Sequence, residues 1–146
     1  MYIDGVFSGG GIKGYALIGA LQALEEKGYT LKNMAGTSAG AIISGMIIAG
    51  YKGQELEEIM MSLRLEELLD RRIGYTLPFM KWLRLYWRLG LFKGDRLEHQ
   101  ISELLLKKGI STFRDIPPMS LRIIASDISN GHLIVLPDDL HKYGVD

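Results

Sequence analysis

Cysteine is absent from the 146 residues, which excludes disulfides, thiolate metal sites and a cysteine nucleophile. Histidine is scarce: His99, His132 and His141 are too scattered for metal-ligand spacing, so neither a metal nor another cofactor is expected. An excess of one charge is also missing. Seventeen Lys and Arg balance seventeen Asp and Glu, so attraction to a membrane or to nucleic acid has to come from local clustering. The start Met1-Tyr2-Ile3-Asp4 lacks the basic-then-apolar pattern of a signal peptide, and a cytoplasmic protein is expected. The apolar stretch from Ala39 to Ala49 is too short to span a bilayer and is interrupted by Gly45, so it reads as a buried helix. The remaining composition, 47% hydrophobic and 23% charged, is that of an ordinary globular domain with a core.

Glycine, by contrast, is concentrated in two turns, Gly9-Gly10-Gly11-Ile12-Lys13-Gly14 and Gly36-Thr37-Ser38-Ala39-Gly40. Tyr2 to Phe7 reads as a strand entering the first turn. Tyr15, Leu17, Ile18, Leu21 and Leu24 then give a helical face that ends at Gly28. Leu31 to Gly36 reads as a second strand, and the helix after Ser38 is apolar nearly all round until Gly50. A polar helix is expected from Gln54 to about Leu69. Another follows Asp95, which with Glu98 makes a capping-box pattern, and closes at Gly109. Leu121 to Asp127 and Leu133 to Leu136 read as strands of a hairpin through Ser129-Asn130-Gly131-His132. Alternating strands and helices imply an α/β fold with a mainly parallel sheet covered on both faces, whose active sites collect at the carboxyl ends of the strands. Both glycine turns lie at such ends.

The second turn has the G-x-S-x-G form, in which a serine sits on a strained strand-to-helix corner and glycines stand where side chains would collide. Ser38 is therefore the candidate nucleophile. A serine before a helix also serves as an N-cap, but capping does not account for glycine at both Gly36 and Gly40. The first turn places consecutive backbone N–H groups of Gly9, Gly10 and Gly11 at a helix start, where unpaired donors and the macrodipole favour an oxyanion. Gly9, Gly11 and Gly14 also match a dinucleotide fingerprint. That reading lacks its acidic residue, because the next strand ends in Asn33-Met34-Ala35-Gly36. A Walker phosphate loop fails because Tyr15 and Ala16 follow Gly14.

These residues resemble the patatin-like phospholipase family, whose pattern is G-G-G-x-[RK]-G, then G-x-S-x-G, then a later D-G-[GA]. Gly9 to Gly14, including Lys13 and Gly14, match the first element, and Gly36 to Gly40 match the second, in the family's order; Ser8 stands where many members have aspartate. The resemblance covers the whole chain. It implies a three-layer αβα hydrolase that uses a serine-aspartate dyad without histidine to cleave phospholipids or other acyl esters. The third element is missing: the one Asp-Gly pair, Asp4-Gly5, precedes the glycine loop, and Asp127, Asp138, Asp139 and Asp146 are not followed by glycine. Residues 1–146 are accordingly expected to be the N-terminal portion of a single patatin-like domain, inactive by itself. Two other readings stand beside this one. An ordinary Ser-Asp-His hydrolase would draw on His132 or His141 with Asp127. A non-catalytic membrane-associating module would keep the serine turn without a base.

One segment breaks the composition. From Arg71 to Gly94 no acidic residue occurs, and basic residues alternate with aromatics, including Lys81, Trp82, Arg84, Trp87 and Arg88. On a helix Lys81, Arg84 and Arg88 share one face while Phe79, Trp82, Leu83 and Tyr86 share the other, the layout of a helix lying in a membrane interface. Such an insertion would hold the protein peripherally at a lipid surface. The competing reading makes the aromatics a core cap or homo-oligomer contact and the basic residues a solvated face. No nucleic-acid-binding signature accompanies the segment, so nucleic acid is not an expected partner.

Overall fold

The computed structural model of the chain describes residues 1–62 and 94–144. Strand β1 (Tyr2–Phe7) leads through a 3-10 turn (Gly11–Lys13) into α1 (Gly14–Glu26), and β2 (Thr30–Thr37) leads directly into α2 (Ala39–Ile48). Helix α3 (Gly53–Ser62), helix α4 (Asp95–Lys107), and strands β3 (Leu121–Asp127) and β4 (His132–Leu136) follow. The polar helix expected from Gln54 is α3, and its expected extension to Leu69 lies outside the described residues. So does the basic aromatic stretch with Lys81, Trp82, Arg84, Trp87 and Arg88.

The four strands form one mixed sheet in the order β1-β2-β3-β4. The pairs β1–β2 and β2–β3 are parallel and β3–β4 is the expected antiparallel hairpin. The fold is α/β. Because both parallel connections step in the same direction across the sheet, right-handed crossovers place their helices on the same face. Burial agrees: Phe7, Met34 and Leu121, which the register puts on one face, join Ile18, Leu21, Ile43, Met46, Tyr51 and Leu56 in a single core. On the opposite face Val6 is 88% exposed and Leu133 is 66% exposed.

Polar contacts tie the helical layer together. Gln22 Nε2 donates to Glu57 Oε2 at 2.7 Å, and the Gly53 amide at the start of α3 donates to Glu25 Oε2 at 3.0 Å. Tyr51 reaches across to α4, its hydroxyl donating to the Leu104 carbonyl at 2.8 Å. One capping expectation is corrected. Gly94, at φ 80°, occupies the N-cap position of α4, and Asp95 falls inside the first turn instead of capping it. Glycine takes this left-handed backbone at little cost, which moves the helix start one residue earlier than the Asp95–Glu98 spacing suggests. A capping box does occur at Thr112 and Asp115.

Candidate active site

Phe7 pairs with Gly36, so β1 and β2 end level with one another and their two turns emerge side by side. Leaving β2, the chain turns at Ser38 with φ 53° and ψ −126° and enters α2 at once. A non-glycine residue at such angles is strained by roughly 1–3 kcal/mol and persists only where its surroundings enforce it. Two close approaches do so here. A side chain at Gly36 would overlap the backbone of Gly40, and one at Gly40 would overlap the carbonyl of Phe7 and lie 2.7 Å from that of Ser8. The corner is therefore clamped between the end of β1 and the start of α2.

The Ser38 carbonyl accepts the first amides of α2, from Ala41 at 3.0 Å and Ile42 at 3.3 Å. Its side chain makes no capping hydrogen bond. Among the described residues the Ser38 hydroxyl has no partner, which leaves it exposed at the top of the corner. One turn deeper, the fully buried Ser44 hydroxyl is satisfied by the Gly40 carbonyl at 2.7 Å.

The first glycine turn lies directly against this corner. A Cβ at Gly9 would stand 3.0 Å from Ser38 Cβ and 3.7 Å from Ser38 Oγ. Gly10, at φ 154°, abuts Lys13, whose amide closes the turn on the Gly10 carbonyl at 3.1 Å. Gly11 is left-handed at φ 55° with open space on its Cβ side. The amides of Gly10 and Gly11 have no protein acceptor among the described residues. Lys13 occupies the N-cap position of α1, exposed and without a capping side-chain bond, and Gly14 lies against Ile43 and Ala39 of α2. Two helix starts thus converge on Ser38, and their unpaired amides and macrodipoles make the surroundings of the hydroxyl electropositive.

The aspartates weighed as possible bases are engaged in their own local structure. Asp4 accepts hydrogen bonds from the Asn33 amide at 3.3 Å and the Asn33 side chain at 2.9 Å, where the β1–β2 register shifts between Ile3 and Gly5. Asp127 supports the hairpin loop: it accepts from the amides of Ser129 and Asn130, from Asn130 Nδ2 at 2.7 Å and from the Tyr143 hydroxyl at 3.1 Å. The Asn130 side chain, ahead of the other donors, holds the Asp127 carboxyl below its usual range. Asp127 also lies three residues beyond Ile124, the partner of Thr37, about 10 Å farther along the strand. His132 pairs with Asp127 across the β3–β4 ladder, and His141 Nδ1 contacts the Asp138 carbonyl at 2.9 Å. Neither histidine is brought to Ser38 by a hydrogen bond. His99 pairs instead with Glu103 on α4, Nε2 to Oε1 at 3.5 Å.

An α/β sheet carrying a clamped serine at a strand-to-helix corner, flanked by a glycine-rich helix start, defines a class of hydrolase-like scaffolds. The comparisons are more specific. A family model described as patatin-like phospholipase matches residues 5–144, and the chain belongs to that family. It is 54% identical over 146 residues to the Bacillus subtilis protein YqhO, described as uncharacterized, covering 99% of this chain and 50% of that protein. Over 41 residues it is 51% identical to an uncharacterized NTE family protein of Mycobacterium bovis, covering 28% of this chain and 11% of the other. Among solved structures, the type III effector ExoU superposes with a TM-score of 0.62 at 22% identity, covering 95% of this chain and 36% of ExoU. That likeness concerns the fold. The chain spans about half the length of its Bacillus relative and about a third of ExoU.

Proposed function

We propose that this chain provides the nucleophile and oxyanion hole of a lipid acyl hydrolase. The observation that carries the reading is Ser38 itself, strained at φ 53° against the glycine turn, its hydroxyl without a partner among the described residues. In the proposed reaction Ser38 Oγ attacks the carbonyl carbon of an acyl ester while its proton passes to a carboxylate. The amides of Gly10 and Gly11, with Gly9 holding the loop against the corner, donate to the tetrahedral oxyanion. Collapse breaks the ester C–O bond, the alcohol leaves with a proton, and water releases the acid from acyl-Ser38.

The proton acceptor lies outside the described residues. Asp4 and Asp127 are bound into their own turns, and the 146 residues hold no Asp-Gly element after the serine. We place the base in a segment corresponding to the half of the Bacillus relative that this chain does not span. The sheet face on which Val6 and Leu133 are exposed offers such a segment a surface, since parallel sheets of this kind are covered on both sides. Among the described residues no helix is long and apolar enough to cross a membrane, and the basic aromatic stretch is proposed to make a peripheral contact with lipid.

The test is covalent labelling by a fluorophosphonate, which needs a nucleophilic serine near an oxyanion hole. Labelling of the chain joined to a segment bearing the Asp-Gly element, lost in Ser38→Ala, supports the assignment. Equal labelling of both places the nucleophile elsewhere.

A further inference from the structure

An apolar cavity of about 290 Å³ runs along the flank of α2, walled by Ala41, Ile42, Gly45 and Ile48 of that helix, Leu105 of α4 and Ile123 of β3. Residues three, four, seven and ten positions after Ser38 share one helical stripe, so the serine heads the wall of this cavity. Ile123 is the register partner of Gly36, two residues before the serine. The cavity therefore opens about one helical turn from the Ser38 corner and extends from Ala41 to Ile48, about 10 Å along the helix axis.

Its chemistry selects its occupant. Ser111 and Thr112 are the polar residues of the described lining, and both hydroxyls are already committed, donating to Asp115 Oδ2 at 3.0 and 3.1 Å. A space whose described lining is almost wholly apolar, with hydroxyl protons already donated elsewhere, favours an apolar ligand. Its volume sits near the small end of ligand pockets, roughly 300 Å³, which suits one chain and not a whole lipid. Gly45 borders this space without filling it: a Cβ there meets nothing within 4 Å among the described residues. A larger side chain at this position on the cavity wall would take up part of that space.

We propose that this cavity receives the acyl chain of the ester whose carbonyl Ser38 attacks, making Gly45 the determinant of chain length. The proposal rests on the hydrolase reading for the direction of the ester, but filling the cavity with a fatty acyl chain requires neither nucleophile nor base. It is therefore tested by equilibrium binding of butyrate, decanoate and palmitate to the full chain carrying Ser38→Ala. Affinity should rise about fourfold for each methylene that enters the cavity, and then level off. Gly45→Phe should weaken palmitate binding roughly tenfold or more, equivalent to losing about two buried methylenes. Its melting temperature should not fall below that of the parent. Gly45→Leu, with less bulk in the same space, should behave likewise and is the variant to read if the phenylalanine protein does not fold. A folded Gly45 variant that binds palmitate as the parent does, or an affinity independent of chain length, overturns the proposal. Fluorophosphonate labelling of the chain joined to a segment bearing the Asp-Gly element reads the nucleophile separately. Chain-dependent binding without labelling keeps the cavity and removes the hydrolase; labelling without chain-dependent binding does the reverse.

Discussion

Gly40 sits directly under the carbonyl of Phe7, so close that a single methyl group on the glycine would overlap it. This contact joins the end of β1 to the first turn of α2 and holds the Ser38 corner shut. Gly40→Ala should therefore destabilise the protein by about 1–3 kcal/mol, the usual range for overpacking against a fixed neighbour. Gly45→Ala, five residues along the same helix and facing open space, should be neutral or stabilising by up to about 1 kcal/mol. Urea titrations of the two variants check the contrast, and equal effects would contradict the clamp.

The glycine turn should matter to reactivity through Gly11. Valine does not settle at φ 55°, so Gly11→Val should swing the local peptides away from Ser38. The rate of fluorophosphonate labelling should fall on the order of 100-fold, the effect of losing one oxyanion donor. A near-normal rate in a folded Gly11→Val protein would remove the oxyanion-hole reading.

Asp115 gives the rim of the cavity an acid-sensitive anchor. Hydrogen bonds from the backbone of Ser111 and Thr112, with those of their hydroxyls, lower its pKa from 3.8 to about 2. A carboxyl depressed in the folded state contributes stability that is complete above the unfolded value and is lost as pH falls towards the folded one. Asp115→Asn should accordingly lower the melting temperature at neutral pH. The difference from the parent should shrink as pH falls from about 4 to about 2. A pH-independent difference would mean that the ionised carboxylate is not the stabilising species.

The basic aromatic stretch lends itself to a salt test. If Lys81, Arg84 and Arg88 face an anionic bilayer, replacing all three by glutamine should weaken vesicle binding roughly a hundredfold at low salt, near 1 kcal/mol for each charge. The gap should narrow as salt screens the surface. Equal sedimentation of parent and variant with anionic vesicles would identify these residues as a solvated face.

The proposed location of the base makes a prediction about activity. The 146-residue chain should hydrolyse acyl esters scarcely above background, because a serine hydroxyl without a positioned acceptor has little means of losing its proton. Addition of a segment bearing the Asp-Gly element should restore Ser38-dependent turnover. Robust turnover by the chain alone would return attention to His132, His141 and Asp127.

Much of this was legible in the sequence, and the parts that were not have physical reasons. The strands and the glycine turns could be read because period-two alternation, Asn130-Gly131 and the placement of Gly36, Ser38 and Gly40 are local signals. The pairing of Phe7 with Gly36, which sets the two turns side by side, is a register between distant segments and leaves no local mark. Asp127 could be read as a loop acid from the residues after it, whereas its bond to Tyr143 depends on the hairpin folding back. The cavity was the least visible feature. A helix that is apolar all round reads as packed on every side, and a one-dimensional pattern does not tell a filled flank from an empty one. In sequence Gly45 reads as an interruption in an apolar run, whereas in the structure it lines the cavity.

The order of strands across the sheet repeats their order along the chain. Each new strand therefore joins an edge that earlier residues have already built, with no insertion between strands formed before it. Among the described residues, the elements that bend the backbone at Ser38, namely β1, the glycine turn, α1, β2 and α2, lie within residues 1–48. During synthesis, which adds residues in order from the N-terminal side at about 5–20 per second, the elements that form the Ser38 corner emerge before β3 and β4. The hairpin of β3 and β4, and with it the far wall of the cavity, is added to a corner whose parts are already present.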